Sequence, residues 1–204
     1  QEVLNFANKN KIQKFIFASS ASVYGDTKNK KVKENFKLNP GHYYAYTKYI
    51  GEKMIKSYCD INNINFTILR FFNVYGSKSN AVVARFMAQN IQKKKITIFG
   101  NGKQKRDFIH VDDLNNLIYK TIISKKIKNE TFNVGSGKAT SIIYLKNIIS
   151  KKKDHIFLQK RNDDIEVSIS NIRKIKKKLK WFPKVNFDKG IKNMKILDKK
   201  RLSK

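Results

Sequence analysis

A chain of 204 residues with 40% hydrophobic content can bury a sizeable core, as one domain or two small ones, and its apolar fraction argues against disorder. Its formal net charge of +30, from 45 Lys and Arg against 15 Asp and Glu, raises polyanions as partners; the lysines are spread through positions 28–33, 93–95, 151–153 and 174–178, a diffuse excess that compositional drift explains as well. No apolar run is long enough to span a bilayer, no signal segment opens the chain, one cysteine excludes an internal disulfide, and His42, His110 and His155 are too scattered for a zinc site, so a soluble cytoplasmic protein is expected.

The opening QEVLNFANKNK reads as the end of an amphipathic helix, with Val3, Leu4, Phe6 and Ala7 on its apolar side, so the chain is expected to begin in mid-fold. Phe15, Ile16, Phe17 and Ala18 form a continuous apolar run, which predicts a strand buried on both faces of a parallel sheet. Residues 43–62 return Ile50, Met54, Ile55, Tyr58 and Cys59 at helical spacing, and Cys59 reads as a buried packing residue rather than a nucleophile. The next strand covers 66–69. Strand, helix and strand in this order predict a right-handed crossover in a doubly wound sheet, whose ligands bind beyond the carboxyl ends of the strands. Function is therefore sought at residues 19–25 and 70–76.

Further on, Ile96, Thr97, Ile98 and Phe99 read as a strand ended by the turn Gly100, Asn101, Gly102. Asp112 or Asp113 is expected to cap a helix carrying Leu114, Leu117 and Ile118. A strand at 131–134 precedes a helix at about 141–150. Ile172, Ile175 and Leu179 mark a last-but-one helix that stops near Pro183, and the tail is expected to fray from Lys199. There is no internal repeat and no long low-complexity linker, so the two halves are expected to share an interface.

Tyr44 and Lys48 stand four residues apart, which on a helix puts a phenol and an ammonium on one face. A nearby cation favours the phenolate, so the pair has the makings of a general base; taken alone, it is a weak signal and reads more readily as an exposed helix face. The run Ser19, Ser20, Ala21, Ser22 sits where a strand empties into the expected crevice and offers hydroxyls to a substrate oxygen, or is simply a Ser-rich turn. Gly135, Ser136 and Gly137 lie between a strand and a helix as a dinucleotide fingerprint would, but Thr140 stands at the third glycine position, and the loop comes too late in the fold.

Five blocks in collinear order, FIFASSASVYGD, YYAYTKYIGEK, LRFFNVYG, GNGKQKRDFIHVDDL and FNVGSGK, run over nearly the whole chain. Together they resemble the blocks of nucleotide-sugar epimerases and dehydratases of the extended short-chain dehydrogenase/reductase family. The resemblance implies an α/β fold: a partial Rossmann-like doubly wound parallel sheet without its first strands, and a smaller C-terminal α/β substrate domain. Residues 1–76 then belong to the NAD-binding domain, 107–135 return to it, and 77–204 mainly bind the nucleotide sugar. Ser20 takes the place of the family's catalytic Ser/Thr and Tyr44 that of its proton-transferring tyrosine. Lys48 takes the place of the family's lysine that holds the nicotinamide ribose and lowers the tyrosine pKa. Asn73 resembles the asparagine that meets the substrate diphosphate, and Arg106 and Arg161 resemble arginines on its phosphate and nucleotide side, where guanidinium forks suit a diphosphate. Ser168 falls where a small residue leaves room for a 2-acetamido group in the sugar pocket.

The resemblance further implies NAD as cofactor, a nucleoside diphosphate sugar as substrate, a homodimer for the full-length protein, and no specific nucleic-acid or membrane partner. The reaction it implies is 4-epimerisation through a transient 4-keto intermediate, with UDP-hexose or UDP-N-acetylhexosamine as substrate. Related dehydratases usually follow the catalytic Ser/Thr with at least one acid; Ala21 and Ser22 stand there instead and supply neither acid nor base at neutral pH, which disfavours elimination and favours epimerisation. Dehydratase, decarboxylase or reductase chemistry of the same family, and a non-catalytic basic binding protein, are the alternatives. The Gly-rich phosphate loop is expected before Gln1, and the 204 residues alone are expected to be inactive.

Overall fold

The computed structural model describes residues 1–76, 81–151, 155–161 and 164–202, without the side chains of 197–202. Helix α1 (Glu2–Lys9) leads into strand β1 (Lys14–Ser20), a short 3-10 helix (Ala21–Tyr24), the two-residue strand β2 (Lys31–Val32), helix α2 (Tyr43–Ile61) and strand β3 (Asn65–Phe71). Strand β4 (Asn73–Tyr75), helix α3 (Val82–Ile91), β5 (Ile96–Phe99), β6 (Lys105–Arg106), β7 (Phe108–His110), α4 (Val111–Ile123) and β8 (Glu130–Val134) follow. The remainder is β9 (Thr140–Ser141), α5 (Ile142–Ile149), β10 (His155–Leu158), β11 (Val167–Ser170), α6 (Arg173–Leu179) and α7 (Phe187–Leu202).

Strands β1, β3 and β8 form a parallel sheet in that order, with Phe17 opposite Ile68 and Ile68 opposite Thr131. The central strand β3 explains the layering. Phe66 and Ile68 pack with Leu4 of α1 and Ile55 and Cys59 of α2, whereas Leu69 packs with Leu117 of α4, Phe132 of β8 and Ile175 of α6. Alternate side chains of one strand thus bury against helices on opposite faces, the doubly wound arrangement. The second cluster, around Phe86, Ile98, Leu145 and Ile191, joins α3, β5, α5 and α7. A mixed sheet β2-β11-β6-β9 and the pairs β10-β5 and β4-β7 surround it.

Several expectations need correction. Strand β1 is only half-buried and Ala18 is exposed, because among the described residues β1 has one hydrogen-bonded neighbour, β3, rather than two. Ile50 and Met54 face outward on α2, as do Val3 and Phe6 on α1, so the apolar stripe of each helix is narrower than its periodicity implied. Helix α4 is capped by His110, whose Nδ1 accepts from the Asp112 amide at 3.2 Å. Asp113 instead turns inward and accepts the Lys184 and Val185 amides at 2.8 and 3.0 Å, tying down the segment before α7. The backbone stays helical past Lys199 to Leu202. Of the lysine run 151–153, positions 152 and 153 lie outside the described residues.

Candidate active site

Ser20, Tyr44 and Lys48 are placed by the end of β1 and the first two turns of α2. His42 caps α2, with Nδ1 accepting from the Ala45 amide at 3.4 Å, and its ring stacks on that of Tyr44 with centroids 6.2 Å apart. Tyr44 is 53% exposed, so its ring stands at the surface rather than in the core. One turn on, the Lys48 ammonium lies 5.7 Å from the Tyr44 ring centroid and donates to the Ala18 carbonyl at 2.9 Å. Gly51 allows that reach, since a Cβ there would come within 2.8 Å of Phe17 Cζ and hold the helix off the strand. Ser20 Oγ accepts from the Ser22 amide and hydroxyl at 3.2 and 2.9 Å; its own proton is engaged in neither bond and is left to donate. The structure thus brings Tyr44 and Lys48 onto one face and anchors Lys48 two residues before Ser20.

Behind these residues runs a buried network that the sequence reading missed. The Arg70 guanidinium grips the Glu52 carboxylate with two bonds of 2.9 and 2.7 Å, the paired side chains being only 3% and 2% exposed. Ser19 Oγ donates to Glu52 Oε1 at 2.6 Å, Arg70 also donates to the Tyr24 hydroxyl at 2.9 Å, and Tyr24 donates to Asn133 Oδ1 at 2.6 Å. Ser19 and Arg70, both in the segments expected to face ligand, therefore belong to the scaffold. The available signal was a charge inside the apolar run Thr67 to Phe72, which must find a partner when buried. Burial works against the Arg70 charge, but the bonds to Glu52 more than offset it and its pKa ends above the ordinary arginine value. Burial pushes the Tyr24 phenol up to about 12, against the Arg70 charge.

On the phosphate side, Asn73, Arg106 and Arg161 line one cavity of about 360 Å³, together with Arg85, Phe99 and Asp164. The Asn73 side chain donates to the Asp107 carbonyl at 3.3 Å, and Arg106 pairs with Asp164 Oδ1, while Gln104 donates to the other oxygen at 3.3 Å. Burial lowers the Arg106 pKa, and Asp164 opposes that shift. The Arg161 guanidinium lies 4.0 Å from the Phe99 ring centroid; Asn162 and Asp163, the rest of its motif, lie outside the described residues. Ser168 is half-buried on β11 with Arg106 as its register partner, so it is not a solvent-facing loop residue. A second cavity of about 440 Å³ is lined by Ser22, Asp26, His42, Lys160, Asp164 and Glu166. It reaches from the neighbours of Ser20 and Tyr44 to Asp164, which also borders the arginine cavity.

The Gly135–Ser136–Gly137 loop is engaged elsewhere. The fully buried Asp107 carboxylate accepts the Ser136 amide and hydroxyl, both at 2.6 Å, the Gly137 amide at 2.9 Å, and the Ser170 amide and hydroxyl. Its two loop amides are therefore taken by a protein carboxylate and are not open to a dinucleotide phosphate, as expected of a structural turn. Among the described residues no cluster suited to a metal ion and no helix long and apolar enough to cross a membrane is present.

Helices on both faces of a parallel sheet, with a Tyr-Lys helix face laid against the carboxyl end of one strand, define a doubly wound α/β protein, a fold whose ligands bind beyond the carboxyl ends of the strands. The chain matches the NAD dependent epimerase/dehydratase family over residues 1–135 and belongs to that family. It is 33% identical over 202 residues to a putative UDP-glucose 4-epimerase of Methanocaldococcus jannaschii, covering 94% of this chain and 65% of that relative. Among solved structures it superposes with a TM-score of 0.91 on the Bacillus cereus UDP-glucuronic acid 4-epimerase in complex with UDP-glucuronic acid and NAD, at 29% identity, covering 98% of this chain and 66% of that one. With the Methanobrevibacter ruminantium UDP-N-acetylglucosamine 4-epimerase in complex with UDP-N-acetylmuramic acid, the TM-score is 0.90 at 28% identity, covering 98% and 67%. The chain thus spans about two-thirds of the length of the proteins it resembles.

Proposed function

We propose that the full protein is an NAD-dependent 4-epimerase of a nucleoside diphosphate sugar, a UDP-hexose or UDP-N-acetylhexosamine. The observation that carries this reading is that both cavities border Asp164: one is lined by neighbours of Ser20 and Tyr44, the other by three arginines. A ligand with a sugar at one end and a diphosphate towards the other has the matching charge distribution. The 4-epimerases named above, two of them solved with UDP-sugar ligands, support the same class.

The residues at the strand ends fit NAD by their chemistry. Lys48 uses one of its three donors on Ala18 and keeps the rest for ribose hydroxyls, beside a half-exposed phenol. NAD, when bound, supplies a place for a hydride to leave C4 and to return from. Tyr44 takes the proton of the sugar 4-hydroxyl on its phenolic oxygen and gives it back, and the Lys48 charge stabilises the negative charge that develops there. Ser20 donates its free proton to the same sugar oxygen. Ala21 and Ser22 supply no acid for elimination. Ser168, beside Arg106, leaves space for a 2-acetamido group. The division into an NAD-binding part (1–76 with 107–135) and a mainly sugar-nucleotide part, a cytoplasmic location, and a homodimer built on the exposed Tyr46, Ile50 and Met54 stripe of α2 complete the reading.

The test is proton NMR of full-length protein with NAD and UDP-glucose or UDP-N-acetylglucosamine. The 4-epimer is the expected product, and Tyr44→Phe should lose about 10²- to 10⁴-fold in kcat, the range of general acid-base catalysis. A 4-keto-6-deoxy sugar as product, or a Tyr44→Phe variant within threefold of the parent, overturns the proposal.

A further inference from the structure

Arg85, on α3, lines the arginine cavity, and none of the described carboxylates pairs with it. Its Nε is buried without a hydrogen-bond partner. Its guanidinium lies 5.2 Å from the Phe99 ring, the same ring that Arg161 approaches to 4.0 Å. The one carboxylate among the described residues lining this cavity, Asp164, is already bound at one oxygen by Arg106 and at the other by Gln104. Burial, and after it the Arg161 charge, lower the Arg85 pKa, yet a guanidinium stays protonated in proteins. Among the described residues, the cavity is therefore lined by three permanent positive charges and one negative charge.

A purely structural arginine would be expected to pair or to extend to solvent, because an unsatisfied buried donor and a like-charge neighbour both cost stability. Arg85 does neither with its Nε. Such strain is retained where a ligand relieves it. Phe99 helps to hold the pair, since both guanidinium groups lie within cation–π range of its ring.

We propose that Arg85 is a third anion-binding arginine of this cavity, contributing a charged donor to the diphosphate of the nucleotide sugar in addition to Arg106 and Arg161. This rests on the nucleotide-sugar reading above. Since the contact is to phosphate and not to the base or sugar, the prediction concerns a ratio of affinities.

The experiment is calorimetric titration of the full-length protein, and of its Arg85→Leu and Arg85→Lys variants, with UDP, UMP and uridine, beside thermal melts without ligand. Loss of one charged hydrogen bond should weaken UDP by about 10- to 100-fold in Arg85→Leu and leave uridine within twofold. Arg85→Lys, which keeps the charge but not the fork, should fall between. The ligand-free Tm of Arg85→Leu should be unchanged or higher, because a buried orphan and a repulsion are removed. Equal weakening of UDP and uridine, UDP binding within twofold of the parent, or a lowered ligand-free Tm in Arg85→Leu each overturn the assignment. If the parent itself fails to prefer UDP over uridine, the nucleotide-sugar reading falls first, and the inference with it.

Discussion

Replacing Glu52 by Gln removes one charge from the ion pair behind Ser19 while keeping the side chain's shape. At 2.7 Å and an effective dielectric near 20, the Coulomb attraction between Glu52 and Arg70 is roughly 6 kcal/mol. Most of that gross attraction is offset by the desolvation of two groups that are 3% and 2% exposed. The variant does not recover that offset. Arg70 remains buried with a full charge and a neutral amide before it, so the expected loss is about 3–5 kcal/mol. For a chain of this size the corresponding fall in Tm is roughly 6–20 °C. Urea unfolding followed by Trp181, the single tryptophan and 3% exposed, reads the change directly. The companion double variant Glu52→Leu with Arg70→Met removes both charges, and should recover at least about 2 kcal/mol of the sum of the two single losses. A Glu52→Gln loss below about 1 kcal/mol, or single losses that simply add in the double variant, would refute the reasoning.

Three further outcomes are expected. The Tyr24 phenol titrates at about 12 rather than 10.0, so above pH 10 the unfolded chain loses a proton that the folded chain retains; the stability from this group is complete below pH 10 and is lost as pH rises through 12, about 3 kcal/mol in all. Urea midpoints between pH 9 and 12 should fall more steeply in the parent than in Tyr24→Phe, and parallel curves would remove Tyr24 from the account. Gly135→Ala would place a Cβ 2.5 Å from Ser170 Oγ and 2.7 Å from Asp107 Oδ2, with an expected cost of about 1–3 kcal/mol in chemical denaturation; a neutral substitution would mean that the Asp107 cluster yields. Ser168→Tyr in the full-length protein should lower kcat/KM for UDP-N-acetylglucosamine relative to UDP-glucose by at least about tenfold, as for a ligand group that no longer fits its pocket, and an unchanged ratio would show that Ser168 is not the gate.

What could be read from the sequence follows from which structural facts are local. Strand β3 was legible because its apolar run is buried by helices on both sides, and α2 because Ile55 and Cys59 recur on one face. The pairing of Tyr44 with Lys48 is local too, being fixed by helical geometry once the helix is recognised. Even so, periodicity did not separate Ile55, which packs on the sheet, from Ile50 and Met54, which face away from it. Contacts between distant segments were out of reach. Asp107 binds residues 29 and 63 positions away, and no local pattern of Asp, Ser and Gly distinguishes that cluster from three polar turns. Arg85 illustrates the limit most clearly. In sequence it is one basic residue among 45, and only the placement of Phe99, Arg106 and Arg161 around the same cavity turns an ordinary helix arginine into one whose buried Nε has no partner among the described residues, beside a ligand-sized space. The net charge of +30 is therefore a poor guide to anion binding here, because specificity depends on how few of those charges are held, desolvated and left without a partner, and not on how many there are.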